Sequence, residues 1–140
     1  MALDDGLRTG HASIDAHHTR IITLIEDFRR AIIYQTLDSA QLEVFLATIH
    51  DYAVVHFREE EAFMLKTRYP ARASHRDAHI AFWQRLILRM ELCADSNYDI
   101  TCGEAVFSEV GAWLKDHIHG EDRALAAWIR VTGNTPPKAG

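Results

Sequence analysis

The sequence predicts an all-α protein, an up-down-up-down four-helix bundle. Three observations predict it. Apolar residues recur at steps of three and four through four long segments, the period of a helix with one buried face. The prolines are confined to Pro70, Pro136 and Pro137, so nothing breaks those segments from within. No segment alternates with the period of a strand, and four amphipathic helices with short connections bury their faces best against one another.

The first helix is expected at about 13–34, with the stripe Ile14, His18, Ile21, Ile25, Phe28, Ile32. The second, about 38–67, opens on Asp38 and Gln41, a capping-box pair. It carries Leu42, Phe45, Ile49, Ala53, His56, Glu60 and Phe63 and ends before Tyr69-Pro70. The third, about 71–93, carries His75, His79, Phe82, Leu86, Met90 and Cys93, and Asp95-Ser96-Asn97 turns the chain. The fourth, about 101–131, opens on a second capping-box pair, Thr101 and Glu104. Its stripe runs Val106, Val110, Trp113 with Leu114, His117 with Ile118, Leu125, and Trp128 with Ile129. Residues 133–140 read as a flexible tail, and the whole of 1–140 as a single domain.

Composition narrows the class. The chain has 140 residues, 48% apolar and 25% charged, ordinary values for one globular domain. A net charge of −5 argues against a nucleic-acid partner, because phosphate binding needs a basic face. No apolar run reaches the length of a membrane span. Met1 to Gly10 lack the basic and apolar regions of a secretory signal, so a cytoplasmic location is expected. Cys93 and Cys102 show no C-x-x-C spacing and read as two unrelated reduced thiols at neighbouring helix ends, with a redox pair between them as the alternative.

Histidine is the unusual feature: nine occur, without tag-like clustering. Polar residues interrupt the apolar stripe on every helix: His18, then His56 and Glu60, then His75 and His79, then His117. Residues four apart share a helix face, so His56/Glu60 and His75/His79 are chelating pairs. A single histidine on an apolar stripe is usually a hydrogen-bonded core residue. Interruption on the core side of all four helices is a different observation. Each unsatisfied buried polar group costs roughly 1–3 kcal/mol, a penalty that a coordinated metal removes. Imidazoles with carboxylates suit Fe, Zn, Cu or Ni. Five histidines exceed the needs of one tetrahedral zinc and suggest two metals bridged by carboxylates. Such an imidazole-rich, carboxylate-poor site favours reversible binding over oxygen activation.

On the fourth helix two candidates compete. Glu121 copies the His56/Glu60 spacing from His117. Asp122, five residues on, would be turned about 140° away on an ideal helix. However, the apolar stripe slips by one residue here, with Ile118, Asp122, Leu125 and Ile129 as its continuation. A local π-bulge would produce that slip. It favours Asp122, with Glu121 as the alternative.

Four fragments, in order, resemble the hemerythrin family, in particular its small bacterial members: Thr9-Gly10-x-x-x-Ile14-Asp15-x-x-His18; His56-Phe57-x-x-Glu60-Glu61-x-x-Met64 followed by Tyr69-Pro70; His75-x-x-x-His79-x-x-Phe82; and Trp113-Leu114-x-x-His117-Ile118-x-x-x-Asp122. The resemblance covers roughly Thr9 to Leu125. It implies a di-iron site in the bundle core: two Fe ions joined by an oxo or hydroxo bridge. One iron would be held by His75, His79 and His117, the other by His18 and His56, with Glu60 and Asp122 bridging. It further implies dioxygen as the ligand, bound at the iron with two histidines, in a pocket of Ile21, Phe57, Trp113, Leu114 and Ile118. His17 stands where the family usually has glutamine or glutamate, His11 adds another imidazole at that end of the bundle, and a tryptophan common near the start of bacterial members is absent.

The remaining polar residues read blandly. His50 and His119 are placed on exposed faces, and Glu59, Glu61, Arg58 and Arg76 on solvated ones; Trp83 and Trp128 are core or rim, and Met64 and Met90 fill gaps. Three functions are compatible: a carrier, store or sensor of dioxygen, with a protein partner for delivery or signalling; a di-iron enzyme acting on peroxide or nitric oxide; and an iron- or zinc-handling bundle. The first is favoured by the apolar pocket, and no catalytic residue is assigned.

Overall fold

The computed structural model describes residues 7–132. Four helical rods form the bundle: α1 (Ala12–Ile33), α2 (Ser39–Lys66), α3 (Arg72–Asp95), and a last rod made of α4 (Ile100–His117), a π-helical turn (Ile118–Asp122) and α5 (Arg123–Thr132). α1 packs on α2, α2 on α3, α3 on α4, and α4 back on α1, which closes the ring of an antiparallel bundle. Among the described residues no helix is long and apolar enough to cross a membrane. The tail expected at 133–140 lies outside the described residues.

The helix ends follow local chemistry. α2 opens on the expected capping box: Asp38 accepts from the Gln41 N–H, and the Gln41 side chain accepts from the Asp38 N–H. At α4 the expectation of Thr101 fails. Asp99 is the N-cap, in an extended conformation, and accepts from the Cys102 N–H, so Thr101 is already inside the helix. Asp caps slightly better than Thr, and it comes first in the chain. α1 is capped by the ring of His11, which accepts from the Ile14 N–H. The first three helices all end in the same way, with a non-glycine residue in the left-handed region: Gln35 (φ 55°), Arg68 (φ 56°) and Asn97 (φ 56°). In each, the next residue's N–H bonds five residues back: Thr36 to Ala31, Tyr69 to Met64, Tyr98 to Cys93. This double-bonded C-terminal motif satisfies the last carbonyls and reverses the chain within a few residues.

Two apolar clusters lie along the bundle axis. The larger one includes Ile25, Phe28, Phe45, Leu86, Val106 and Val110, with Phe28 and Phe45 stacked at 3.9 Å. The smaller contains Ile14, Met64, Leu125 and Ile129. On every helix the histidines and carboxylates of the stripe fall at the end of the larger cluster, and on α1, α2 and the last rod the smaller cluster follows beyond them.

Cys93 and Cys102 are not separate thiols. They form a disulfide, with Cα atoms 5.5 Å apart, that ties the end of α3 to the start of α4. The tight turn at 96–99 brings the two helix ends side by side, a juxtaposition that Cys spacing alone does not reveal.

Candidate metal centre

Seven side chains converge between the two apolar clusters: His18 from α1, His56 and Glu60 from α2, His75 and His79 from α3, His117 from the end of α4, and Asp122 from the π-turn. None is more than 2% exposed. Their ligand atoms fall into two overlapping groups, Glu60, His75, His79, His117 and Asp122 on one side and His18, His56, Glu60 and Asp122 on the other. The two carboxylates belong to both.

The π-turn explains the fourth helix. A regular helix would swing the residue five after His117 off the core face. The wider turn across Ile118–Asp122 returns Asp122 to the core, 0% exposed, with Oδ1 3.0 Å from His117 Nε2. Glu121 stays at the rim, its side chain 46% exposed, bonded to the outer nitrogen of His117.

The donor set fits a pair of metal ions. His18 Nε2 and His56 Nε2 lie 3.0 Å apart, and His79 Nε2 and His117 Nε2 3.2 Å apart. Two ligands each about 2.1 Å from one ion, at right angles, would be about 3.0 Å apart. Glu60 presents Oε1 to His79 (3.0 Å) and His75 (3.1 Å), and Oε2 to His56 (2.8 Å). Asp122 likewise turns Oδ2 to His18 (2.7 Å) and Oδ1 to His75 (3.1 Å). Yet Glu60 Oε2 and Asp122 Oδ1 have no aligned hydrogen-bond partner. Buried carboxylate oxygens rarely go unsatisfied, and a cation between the converging atoms accounts for both.

Electrostatics supports the same conclusion. For Glu60, burial alone would raise the pKa; His56 foremost, with His117 and His18, outweighs it and holds the carboxyl well below the carboxylate range. Asp122 is likewise lowered, against its own burial and the Glu60 charge, mainly by His117. Burial lowers His56, but Glu60 and Asp122 push it up to about 9. His75 and His117 are raised in the same way, against burial, by Asp122 and Glu60. Without metal, protons on His56, His75 and His117 are favoured in the place of cations beside the two carboxylates.

Sequence reasoning missed the groups that hold the histidines from outside. Glu61, read as solvated, has Oε2 2.9 Å from His79 Nδ1. Glu59, read likewise, lies 3.1 Å from His17 Nδ1 and accepts from Ser13 at 2.8 Å. His17 Nδ1 in turn is 3.4 Å from His56 Nδ1. A carboxylate beside an outer nitrogen fixes that nitrogen as the N–H donor and leaves Nε2 free to bind metal. The clue available was the run of carboxylates at 59–61 on a ligand-bearing helix. Aromatic rings hold two imidazoles in place: Phe57 stacks on His79 at 3.9 Å, and Trp113 on His117 at 4.5 Å.

A small void of about 10 Å³ lies against His56 and is lined otherwise by apolar side chains, including Ile21, Phe57, Trp113 and Leu114. Ile118 is fully buried but lines a separate recess with Ile22, Ile25 and Phe107; Leu114 separates the two. His50 is half-exposed against Trp83, and His119 and Arg76 are exposed. Trp128 sits at the rim and donates to the Thr67 carbonyl.

Comparison with known proteins agrees with this geometry. The model of the "Hemerythrin HHE cation binding domain" matches residues 9–129. A bacteriohemerythrin of Stenotrophomonas maltophilia is 28% identical over 94% of this chain and 82% of its own length. A bacteriohemerythrin of Ralstonia nicotianae is 28% identical over 92% of this chain and 88% of its own. A hemerythrin-like protein of Naegleria gruberi is 25% identical over 85% of each. With a matching helical bundle, a buried cluster of five imidazoles and two carboxylates able to hold two irons, and a family match over nearly the whole chain, this protein belongs to the hemerythrin family.

Proposed function

We propose that the protein binds dioxygen reversibly at a non-haem di-iron centre. His75, His79 and His117 would hold one iron and His18 and His56 the other, with Glu60 and Asp122 shared and an oxo or hydroxo group completing the bridge. The observation that carries the reading is an asymmetry. One ligand group has three imidazoles, the other only two, and the apolar void abuts the poorer one, at His56. Its size is about what one water-sized molecule needs.

A di-iron pair held by these residues would supply the electrons that dioxygen binding needs. The chain's own residues do the rest. Glu61 and Glu121 hold His79 and His117 in the tautomer with Nε2 unprotonated. Ile21, Phe57, Trp113 and Leu114 exclude water, which limits proton leakage and side reactions. Because Ile21 lines the void and Ile118 does not, Ile21→Ala is expected to shorten the oxygenated lifetime more than Ile118→Ala. The test is the optical spectrum of the reduced, iron-loaded protein before and after air, then after purging with inert gas. A visible charge-transfer band should appear with air and vanish on purging. A band that persists after purging, or none at all, would contradict reversible binding.

A second reading, an enzyme acting on peroxide or nitric oxide, is favoured by one feature. His17 and Glu59 place an imidazole and a carboxylate, each partly exposed, in line with His56. Turnover of peroxide or nitric oxide by the iron-loaded protein would support it. The cytoplasmic setting is part of the main proposal. Cytosolic reductants keep most thiols reduced, so the Cys93–Cys102 bond bears directly on this setting; thiol labelling in fresh lysate that finds both cysteines blocked would contradict a cytoplasmic location.

A further inference from the structure

Among the described residues the outer face of α2 has no partner within the bundle. Val44, Val55 and Leu65 are 64%, 57% and 64% exposed. Ala47, Ala62, Asp51 and Arg58 are exposed on the same face. At 100° per residue these seven positions fall within an arc of about 80°, opposite the buried side that carries Leu42, Ile49, Ala53, His56 and Glu60. Their steps of three and four are those of a helix-pairing seam.

The order along the seam is self-complementary. Val44 and Leu65 are equidistant from a point between Val54 and Val55. So are Ala47 and Ala62, and so are Asp51 and Arg58. A two-fold axis through that point lays α2 antiparallel on a second α2. It sets Val against Leu at both ends, Ala against Ala inside them, and Asp51 against Arg58 twice. The alanines let the helices approach closely. The Asp51 side chain is 83% exposed, with only His50 beside it at 3.3 Å, and Arg58 has no acidic partner among the described residues. A closed two-fold interface requires one patch to complement itself, and the order of residues along this one does so in side-chain size and in charge.

We propose that the outer face of α2 is a homodimer interface, with Asp51 of each copy paired to Arg58 of the other. Parallel pairing would lose the charge match, so the antiparallel register is specified. The proposal is independent of what the metal centre does.

The experiment is sedimentation velocity on the iron-loaded full-length protein from micromolar to millimolar concentration. A monomer–dimer equilibrium is expected. Arg58→Asp should raise the dissociation constant at least about tenfold, because it sets like charges opposite one another. Asp51→Arg should do the same, and the double swap should restore dimerisation. Iron content and helicity should stay unchanged throughout, which separates interface loss from misfolding. Cross-linking checks the register. Val55→Cys lies beside the axis and should form an intermolecular disulfide. Val44→Cys should not, since its two copies would be about 32 Å apart along the seam. A wild-type monomer at every concentration would overturn the proposal, as would single and double charge variants that behave alike, or cross-linking at Val44 as efficient as at Val55.

Discussion

At the scale of residues, Asp122 and Glu121 are neighbours with opposite placements. Asp122 is fully buried between both imidazole groups, while Glu121 touches only the outer nitrogen of His117. Asp122→Ala is therefore expected to prevent assembly of a two-iron site, measured as iron per chain well below two. Glu121→Ala should keep both irons but weaken their affinity about 10- to 100-fold, the usual cost of losing a group that orients a ligand; competition with a chelator reads this out. A second prediction concerns protons in the metal-free protein. His56 rises from 6.5 to about 9 on folding, so its contribution is fully present below pH 6.5 and is lost as pH climbs to about 9. His75 and His117 act in the same direction. Glu60 and Asp122 are lowered, so their contribution holds above their ordinary 4.5 and 3.8 and fades as pH falls below those values. The metal-free melting temperature should peak near about pH 5–6.5 and decline toward pH 9. Iron needs the same nitrogens unprotonated, so the stabilisation by iron should grow across that range. A metal-free melting temperature that rises from pH 6.5 to 9 would show that the imidazoles are not proton-bound. The positions of these seven residues were legible in the sequence because each interrupts an apolar stripe. The roles of Glu61, Glu59 and His17 were not, because they depend on which way a surface side chain turns across a helix–helix groove.

At the scale of elements, the stripe slip at His117–Asp122 appears in the structure as a π-turn, and it was legible because Leu125 and Ile129 keep facing the core after it. The three left-handed helix ends were not legible. They use Gln35, Arg68 and Asn97, not the glycine that usually signals such an end; only Asn97 is a common substitute. Gly10 is the one glycine in the left-handed region among the described residues, at φ +90°. There its N–H and that of Thr9 both donate to Asp15, and a Cβ would come within 3.1 Å of Arg130. The disulfide was legible only as an alternative: the sequence put Cys93 and Cys102 at neighbouring helix ends, but a spacing of nine residues does not fix whether the intervening turn brings them within bonding distance. It closes a short loop, worth about 2–3 kcal/mol from restriction of the unfolded chain. Cys102→Ser should therefore lower the melting temperature by roughly 5–15 °C. Iron content should not change, since the bond lies at the far end of the larger apolar cluster from the ligands. Loss of iron in this variant would mean that the α3–α4 connection positions His79 and His117 directly.

At the scale of the whole molecule, the bundle places polar chemistry where its cost is highest. Seven buried ionisable groups, between two apolar clusters, demand a charge partner. The aromatic rings over His79 and His117 and the apolar void at His56 lie against those groups. The claim that most needs testing is reversibility, because it separates a binding protein from an enzyme at the same site. The direct measurement is gas stoichiometry: the reduced, iron-loaded protein is exposed to a known quantity of dioxygen, then evacuated, and uptake and recovery are counted. One dioxygen taken up per two irons and recovered on evacuation, over repeated cycles, is the predicted result. Dioxygen consumed without recovery, or uptake that continues past one per site, would contradict the account.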